Sequence, residues 1–176
     1  MNKKTLIVVA HPNLDQSRVN RTWLEQLRHE EESITIHDLA AAGASGHFDI
    51  AAEQQLLEAH QRIIIQFPLF WFNVPALLKQ WLDEVFAYGW AFGPGGDKLN
   101  GKEIGLAVST GGKAESYAEG FTMEMLLSPM RLTILYVGAT PLPTHLIHGA
   151  LQDLSDEELT QNASDYLQHV KSAIAA

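Results

Sequence analysis

Cysteine is missing altogether from the 176 residues. Its absence excludes a disulfide framework, a thiolate zinc site and a cysteine nucleophile, and it fits a reducing, cytoplasmic setting. Basic side chains are scarce: 12 lysines and arginines stand against 21 aspartates and glutamates, a net charge of -9. That is the wrong sign for gripping a phosphate backbone along an extended surface, so no nucleic-acid partner is expected. Long apolar runs are also lacking. The opening MNKKTLIVVAHPN holds only about six apolar residues in a row and no small-residue cleavage site, too little for a signal peptide, and nothing approaches the roughly 20 residues of a membrane span. No repeat, low-complexity tract or composition shift divides the chain, whose length suits one domain over 1–176 with a core of its own.

Five short apolar runs are present: TLIVVA (5–10), ITIHDL (34–39), RIIIQF (62–67), EIGLAVST (103–110) and LYVGATPLP (135–143). Between them, 18–29, 51–60, 74–88, about 119–133 and 155–174 show helical periodicity. The first, third and fourth runs are nearly all apolar rather than alternating, which predicts strands buried on both faces, hence a parallel sheet covered by helices. Helix punctuation agrees. Ser17 stands where it can cap the first helix, Pro75 lies near the start of the third, and SDEE (155–158) resembles a capping box. AAAGASGHF (40–48) reads as an irregular connection and GWAFGPGGDKLNG (89–101) as a mobile glycine-rich loop.

In an open parallel sheet, ligands bind beyond the carboxyl ends of the strands, so the loops 11–17, 68–74 and 110–117 are expected to face one crevice. The first, HPNLDQS, opens a helix whose unpaired N–H groups and dipole favour an anion, with His11 and Ser17 as further donors. It carries neither G-x-G-x-x-G nor G-K-[ST], and Ser17 serves equally well as a simple cap. The second loop sets Phe70, Trp71 and Phe72 between Pro68 and Pro75. Aromatic surface in a turn needs a cover, either a flat ligand or a partner subunit, although the same residues also read as helix-packing material. In the third, STGGKAESY, Gly111 and Gly112 allow close backbone approach and present N–H groups, while ordinary turn geometry uses such glycines too. Tyr117 supplies a phenol beside them. His145 and His148 in PTHLIHG lie three apart without a carboxylate in ligand spacing and read as a strand-end loop, not a metal site. Asp97 and Lys98 read as solvated loop charges.

Taken together, VVAHP, AEQ, FPLFWFNVPALLKQWLDEVF, GWAFGPGGDKLNGKE and STGG, in this order, resemble the flavodoxin-like NAD(P)H:quinone oxidoreductases. Within these they are most similar to the ancillary oxidoreductases of glutathione-gated potassium-efflux transporters. The resemblance implies an α/β three-layer sandwich around a five-stranded parallel sheet in the order 2-1-3-4-5. It implies a bound flavin, FMN with FAD as the alternative, that passes hydride from NAD(P)H to a quinone. Flavin-phosphate contacts are implied for His11, Ser17, Arg18, Val19 and Asn20. Ring contacts are implied for Pro68, Leu69, Phe70, Trp71 and Phe72 and for Ser109, Thr110, Gly111 and Gly112. Tyr117 falls where the larger relatives keep a tyrosine beside the ring, but the AEGFTM that follows lacks their histidine. The resemblance further implies a homodimer, partly through PALLKQWLDEVFAYGW, and a potassium-efflux transporter at the inner membrane as a partner. A non-catalytic electron carrier and a purely regulatory transporter subunit are the alternatives.

Overall fold

Side chains leave a strand to alternate sides, so runs that are apolar at nearly every position build a sheet with two dry faces. The computed structural model describes residues 5–30, 32–118 and 120–172. Its strands are β1 (Thr5–Val9), β2 (Ile34–Asp38), β3 (Arg62–Pro68), β4 (Glu103–Ser109), β5 (Thr140–Pro141) and β6 (His145–Ile147). All pairings are parallel and the order is β2-β1-β3-β4-β5, as expected. Leu6, Val8, Ile63, Ile65, Phe67, Ile104, Leu106 and Val108 point to one face, Ile7, Val9, Ile64 and Ala107 to the other.

The second of these faces packs on α1 (Arg18–Leu27) and α6 (Asp156–Lys171), through Trp23, Leu27, Leu159 and Tyr166. The first packs on α2 (Leu39–Ala42), α3 (Ile50–Glu58), α4 (Ala76–Val85) and α5 (Met123–Tyr136), through Leu39, Leu57, Trp81 and Met130. Burying a large apolar side chain of this kind contributes about 2–3 kcal/mol. The expected caps are present. Ser17 Oγ accepts from the Asn20 N–H, and Ser155 with Glu158 forms the capping box of α6. The AEQ segment ties α3 to α4: the buried Glu53 carboxylate accepts from the Trp81 indole N–H at 2.8 Å and meets His37 Nε2, while Gln54 donates to the Val85 carbonyl.

The run 135–143 is not one strand. Leu135 and Tyr136 close α5, and the fifth strand starts only at Thr140 and comes in two pieces, β5 beside Glu103 and Ile104 and β6 beside Ala107 to Ser109. Pro141 and Pro143 bring no N–H to the ladder, which accounts for the break. Pro129 lies inside α5 yet does not end it. The Met125 carbonyl, which residue 129 has no N–H to reach, takes the Ser128 hydroxyl at 2.7 Å instead. The irregular connection begins with the short helix α2, which periodicity over four residues cannot reveal. The loop 89–101 is anchored by buried Trp90 and Leu99, the indole N–H of Trp90 donating to Glu58. The helix ends at 119 and 173–174 read from periodicity lie outside the described residues.

Candidate functional site

Parallel register brings the carboxyl ends of β1, β3 and β4 to one edge, and each of the three expected loops leaves from there. Behind them a buried polar chain runs between the apolar strands and helices. Tyr166 Oη donates to Gln66 Oε1 at 3.1 Å, and Gln66 Nε2 donates to the Asn20 carbonyl and to Asn20 Oδ1. Asn20 Nδ2 in turn donates to Ser17 Oγ at 3.2 Å and Ser109 Oγ at 3.1 Å. Asn20 thus fastens the first loop to the third. Burial pushes the Tyr166 phenol far above its ordinary range, so it remains a donor at any working pH.

In the first loop, Ser17 Oγ accepts from both the N–H and the side chain of Asn20, leaving its own hydrogen to point outward. His11 Nδ1 accepts from the Asn13 N–H at 3.0 Å, so the neutral ring carries its hydrogen on Nε2. Burial pushes the His11 pKa below the ordinary histidine value, opposed by the nearby Asp38 carboxylate. The first-turn N–H groups of α1 have no earlier turn to bond to. Arg18 and Val19 contribute to this corner differently. The Arg18 guanidinium turns to the start of α6, donating to the Leu154 carbonyl at 2.7 Å and to Asp156 at 2.5 Å, and the Val19 side chain is buried in the core.

The second loop is a tight turn closed by reciprocal bonds between Phe70 and Asn73, 2.9 and 3.0 Å. Its central residues Trp71 and Phe72 both have positive φ, 49° and 62°. Bulky side chains rarely adopt this left-handed conformation. Trp71 is 94% exposed, Phe70 meets His11 edge-on at 6.2 Å, and Phe72 stacks on Phe121 at 6.1 Å. Pro68 and Leu69 sit lower: Pro68 is the buried end of β3, and the Leu69 N–H donates to the Ser109 carbonyl.

The third loop is aimed by a segment that sequence reasoning passed over. The carbonyls of Thr110, Gly111 and Gly112 accept from the N–H groups of Ala150, Leu151 and Gly149. Because the peptide unit is planar and trans, the N–H groups of Gly111 and Gly112 are turned the opposite way, away from that segment. The Cβ that an alanine would carry at 111 would lie 2.9 Å from Leu151 Cδ1, and at 112, 3.2 Å from Tyr117 Oη. Ser109 and Thr110 are buried, and the Thr110 hydroxyl donates to the Gly112 carbonyl at 2.9 Å. Tyr117 is stacked on His148, ring centroids 5.4 Å apart.

An anion-accepting helix end, an exposed aromatic platform and two aimed glycine N–H groups therefore share one rim, a donor set that fits the phosphate, ring and ring heteroatoms of FMN. Sequence reasoning missed Gln66, Tyr166 and His148. A lone glutamine inside RIIIQF was the one available signal for the first. His145 and His148 diverge, His145 to Asn162 and Tyr166, His148 to Thr110 and Tyr117, and no metal-holding group of three or more acidic, histidine or cysteine residues occurs among the described residues.

A family model described as a flavodoxin-like fold matches residues 3–170. YrkL, an uncharacterized NAD(P)H oxidoreductase of Bacillus subtilis (strain 168), is 43% identical, covering 96% of this chain and 98% of that protein. The glutathione-regulated potassium-efflux system ancillary protein KefF of Citrobacter koseri is 38% identical over 94% of each. Among solved structures, general stress protein 14 of Treponema denticola in complex with FMN superposes with a TM-score of 0.88 at 42% identity, covering 95% of this chain and 97% of that one. An NADPH-quinone reductase from P. pentosaceus gives 0.87 at 33% identity, covering 97% and 99%.

Proposed function

The chain belongs to the flavodoxin-like fold family, and from that premise we propose that it is an FMN-dependent NAD(P)H:quinone oxidoreductase, a single cytoplasmic flavin-binding domain. The observation that carries this reading is the rim itself: Trp71 stands out almost bare from a strained turn after β3, and the loop after the neighbouring β4 has its glycine N–H groups already oriented. The FMN-bound Treponema relative and the NAD(P)H oxidoreductase and quinone reductase relatives support it.

FMN, when bound, would supply the chemistry of hydride transfer between NAD(P)H and a quinone. The chain's part is binding and electrostatics. Ser17 and the first-turn N–H groups of α1 that the cap leaves free, those of Arg18 and Val19, receive the phosphate, with Asn20 holding Ser17 in place and His11 Nε2–H as a further donor. Leu69, Phe70, Trp71 and Phe72 form the wall for the ring. Gly111 and Gly112 direct preorganised donors to the edge where negative charge builds up, at no cost of reorientation. Tyr117 adds a hydroxyl there. Mixing the FMN-loaded protein with NADPH in the absence of oxygen is expected to bleach the yellow flavin absorbance, and added soluble quinone to sustain turnover. No bleaching would overturn the reading; bleaching without quinone turnover would leave an electron carrier.

The reading includes a homodimer. A groove of about 520 Å³ between α4 and α5, lined by Phe86, Tyr88, Phe92, Met130 and Tyr136, adjoins exposed Leu132 and Leu135. The apolar surface lies more on α5 than on α4, whose Trp81 and Val85 are fully buried. Light scattering at micromolar concentration is expected to give twice the 19.5 kDa chain mass. A monomer mass would remove the dimer from the reading. Likeness to the Citrobacter ancillary protein favours a second role, binding a potassium-efflux transporter, which pull-down with the candidate transporter tests. No helix among the described residues is long and apolar enough to cross a membrane.

A further inference from the structure

His148 leaves the end of β6 and lands, 31 positions along the chain from Tyr117, flat against that tyrosine's ring at 5.4 Å. Its Nδ1 lies 2.9 Å from Thr110 Oγ1. The Thr110 hydroxyl has one hydrogen, and it is donated to the Gly112 carbonyl. Toward His148 the oxygen accepts, which places a hydrogen on Nδ1 and leaves Nε2 of the neutral ring with a bare lone pair. Thr110 and Gly112 belong to the same loop whose N–H groups are aimed by residues 149–151. One imidazole therefore touches the phenol, the loop hydroxyl and the backbone that supports the glycines.

Resting on the flavin reading above, we propose that His148 is a positioning residue. When negative charge develops beside Gly111 and Gly112, its Nε2 takes one proton from water, and the imidazolium over the Tyr117 ring makes that hydroxyl a stronger donor. The balance is simple. Hydride brings two electrons and one proton and so one negative charge; the proton on Nε2 offsets it. When hydride leaves for the quinone, Nε2 returns its proton to water, and the reduced quinone takes one proton from water to become the hydroquinone. Stacking a cation on a phenol ring is favourable in itself, and it draws electron density from the hydroxyl. The groups facing the imidazole are the Thr110 hydroxyl from the end of β4 and, from the turn at 114–117, Tyr117 and the Glu115 carboxylate. Along its own loop, Asp153 is held by Lys113. Burial pushes the His148 pKa below the ordinary histidine value while Glu115 pulls it up, so a proton must be driven on by further negative charge.

The test is the midpoint potential of the FMN-loaded protein as a function of pH, between about 5.5 and 8, where histidines titrate. In the native protein, the ratio of reduced to oxidised FMN affinity is expected to rise as pH falls through the His148 range. In His148→Asn, which keeps a donor for Thr110 but does not titrate, that rise disappears and the ratio at about pH 6.5 is roughly tenfold lower, one pKa unit of coupling. Native and variant curves that run parallel overturn the proposal, even if the variant binds FMN less well. Should the variant fail to fold, NMR titration of the native protein decides: the His148 pKa must rise on reduction, and an unchanged value overturns the proposal. If the native protein takes up no FMN, the flavin reading falls and this inference with it; parallel curves with FMN bound sink only the inference.

Discussion

Gln66→Leu is expected to lower stability by about 2–4 kcal/mol and to weaken FMN binding about tenfold. The strand RIIIQF is otherwise apolar, and leucine is close to glutamine in volume, so a purely packing view predicts little change. The polar chain predicts otherwise. Gln66 is fully buried, and its loss leaves the Tyr166 hydroxyl and Asn20 Oδ1 without the partners they have at 3.1 and 3.2 Å. Each buried polar group so orphaned costs about 1–3 kcal/mol. Asn20, freed, no longer holds Ser17 and Ser109 at fixed spacing, which is where the binding loss arises. Adding Tyr166→Phe removes one orphan and is expected to restore about half of the lost stability, a coupling that a double-mutant cycle by urea unfolding measures. Additive losses would show that the chain of bonds contributes nothing as a unit.

The turn at Trp71 and Phe72 is expected to respond with opposite signs in stability and binding. Left-handed φ at both central residues is the geometry of a type I′ turn, whose natural occupants are Asn and Gly. Non-glycine residues there cost about 1–2 kcal/mol each. Replacing Trp71→Asn together with Phe72→Gly is expected to stabilise the FMN-free protein by about 1–2 kcal/mol, after allowing for the lost Phe72–Phe121 stack. Trp71 contributes almost nothing to the core, being 94% exposed. On the proposed reading the same change takes away the wall for the ring and is expected to raise the FMN dissociation constant about a hundredfold. Thermal unfolding without cofactor and fluorescence titration with FMN check the two halves. A loss of stability would mean the aromatic turn is there for folding, and unchanged affinity would mean the ring sits elsewhere. Strain retained at an exposed aromatic pair is what a binding role accounts for and a packing role does not.

Much of this was legible from the sequence, for reasons that differ by element. Strands β1, β3 and β4 are buried on both faces, and an apolar run with no alternation reports that directly. The fifth strand was started too early because Leu135 and Tyr136 favour strands as single residues, although they form the last turn of α5. Propensity reads residues singly and cannot see that the preceding helix carries on through them. Loop positions followed from the parallel sheet, so the segments that carry His11, Ser17, Asn20, Trp71 and the two glycines were expected at one edge, where they lie. The ion pair of the Arg18 side chain was not legible because its partner Asp156 lies 138 residues away. His148 was hidden for the same reason: its relation to Tyr117 exists only once β6 is paired beside β4.

Gly111 and Gly112 are steered by main-chain atoms of residues 149–151, with one side chain, the Thr110 hydroxyl, bonding the Gly112 carbonyl as well. Apart from Gly149, whose φ of 79° suits glycine, the letters in that stretch matter less than their number. Adding or deleting one residue between 148 and 155 would rotate the donors off their mark, whereas many replacements would leave the aim intact. Evolution can therefore repaint this stretch freely, as long as it never changes its length.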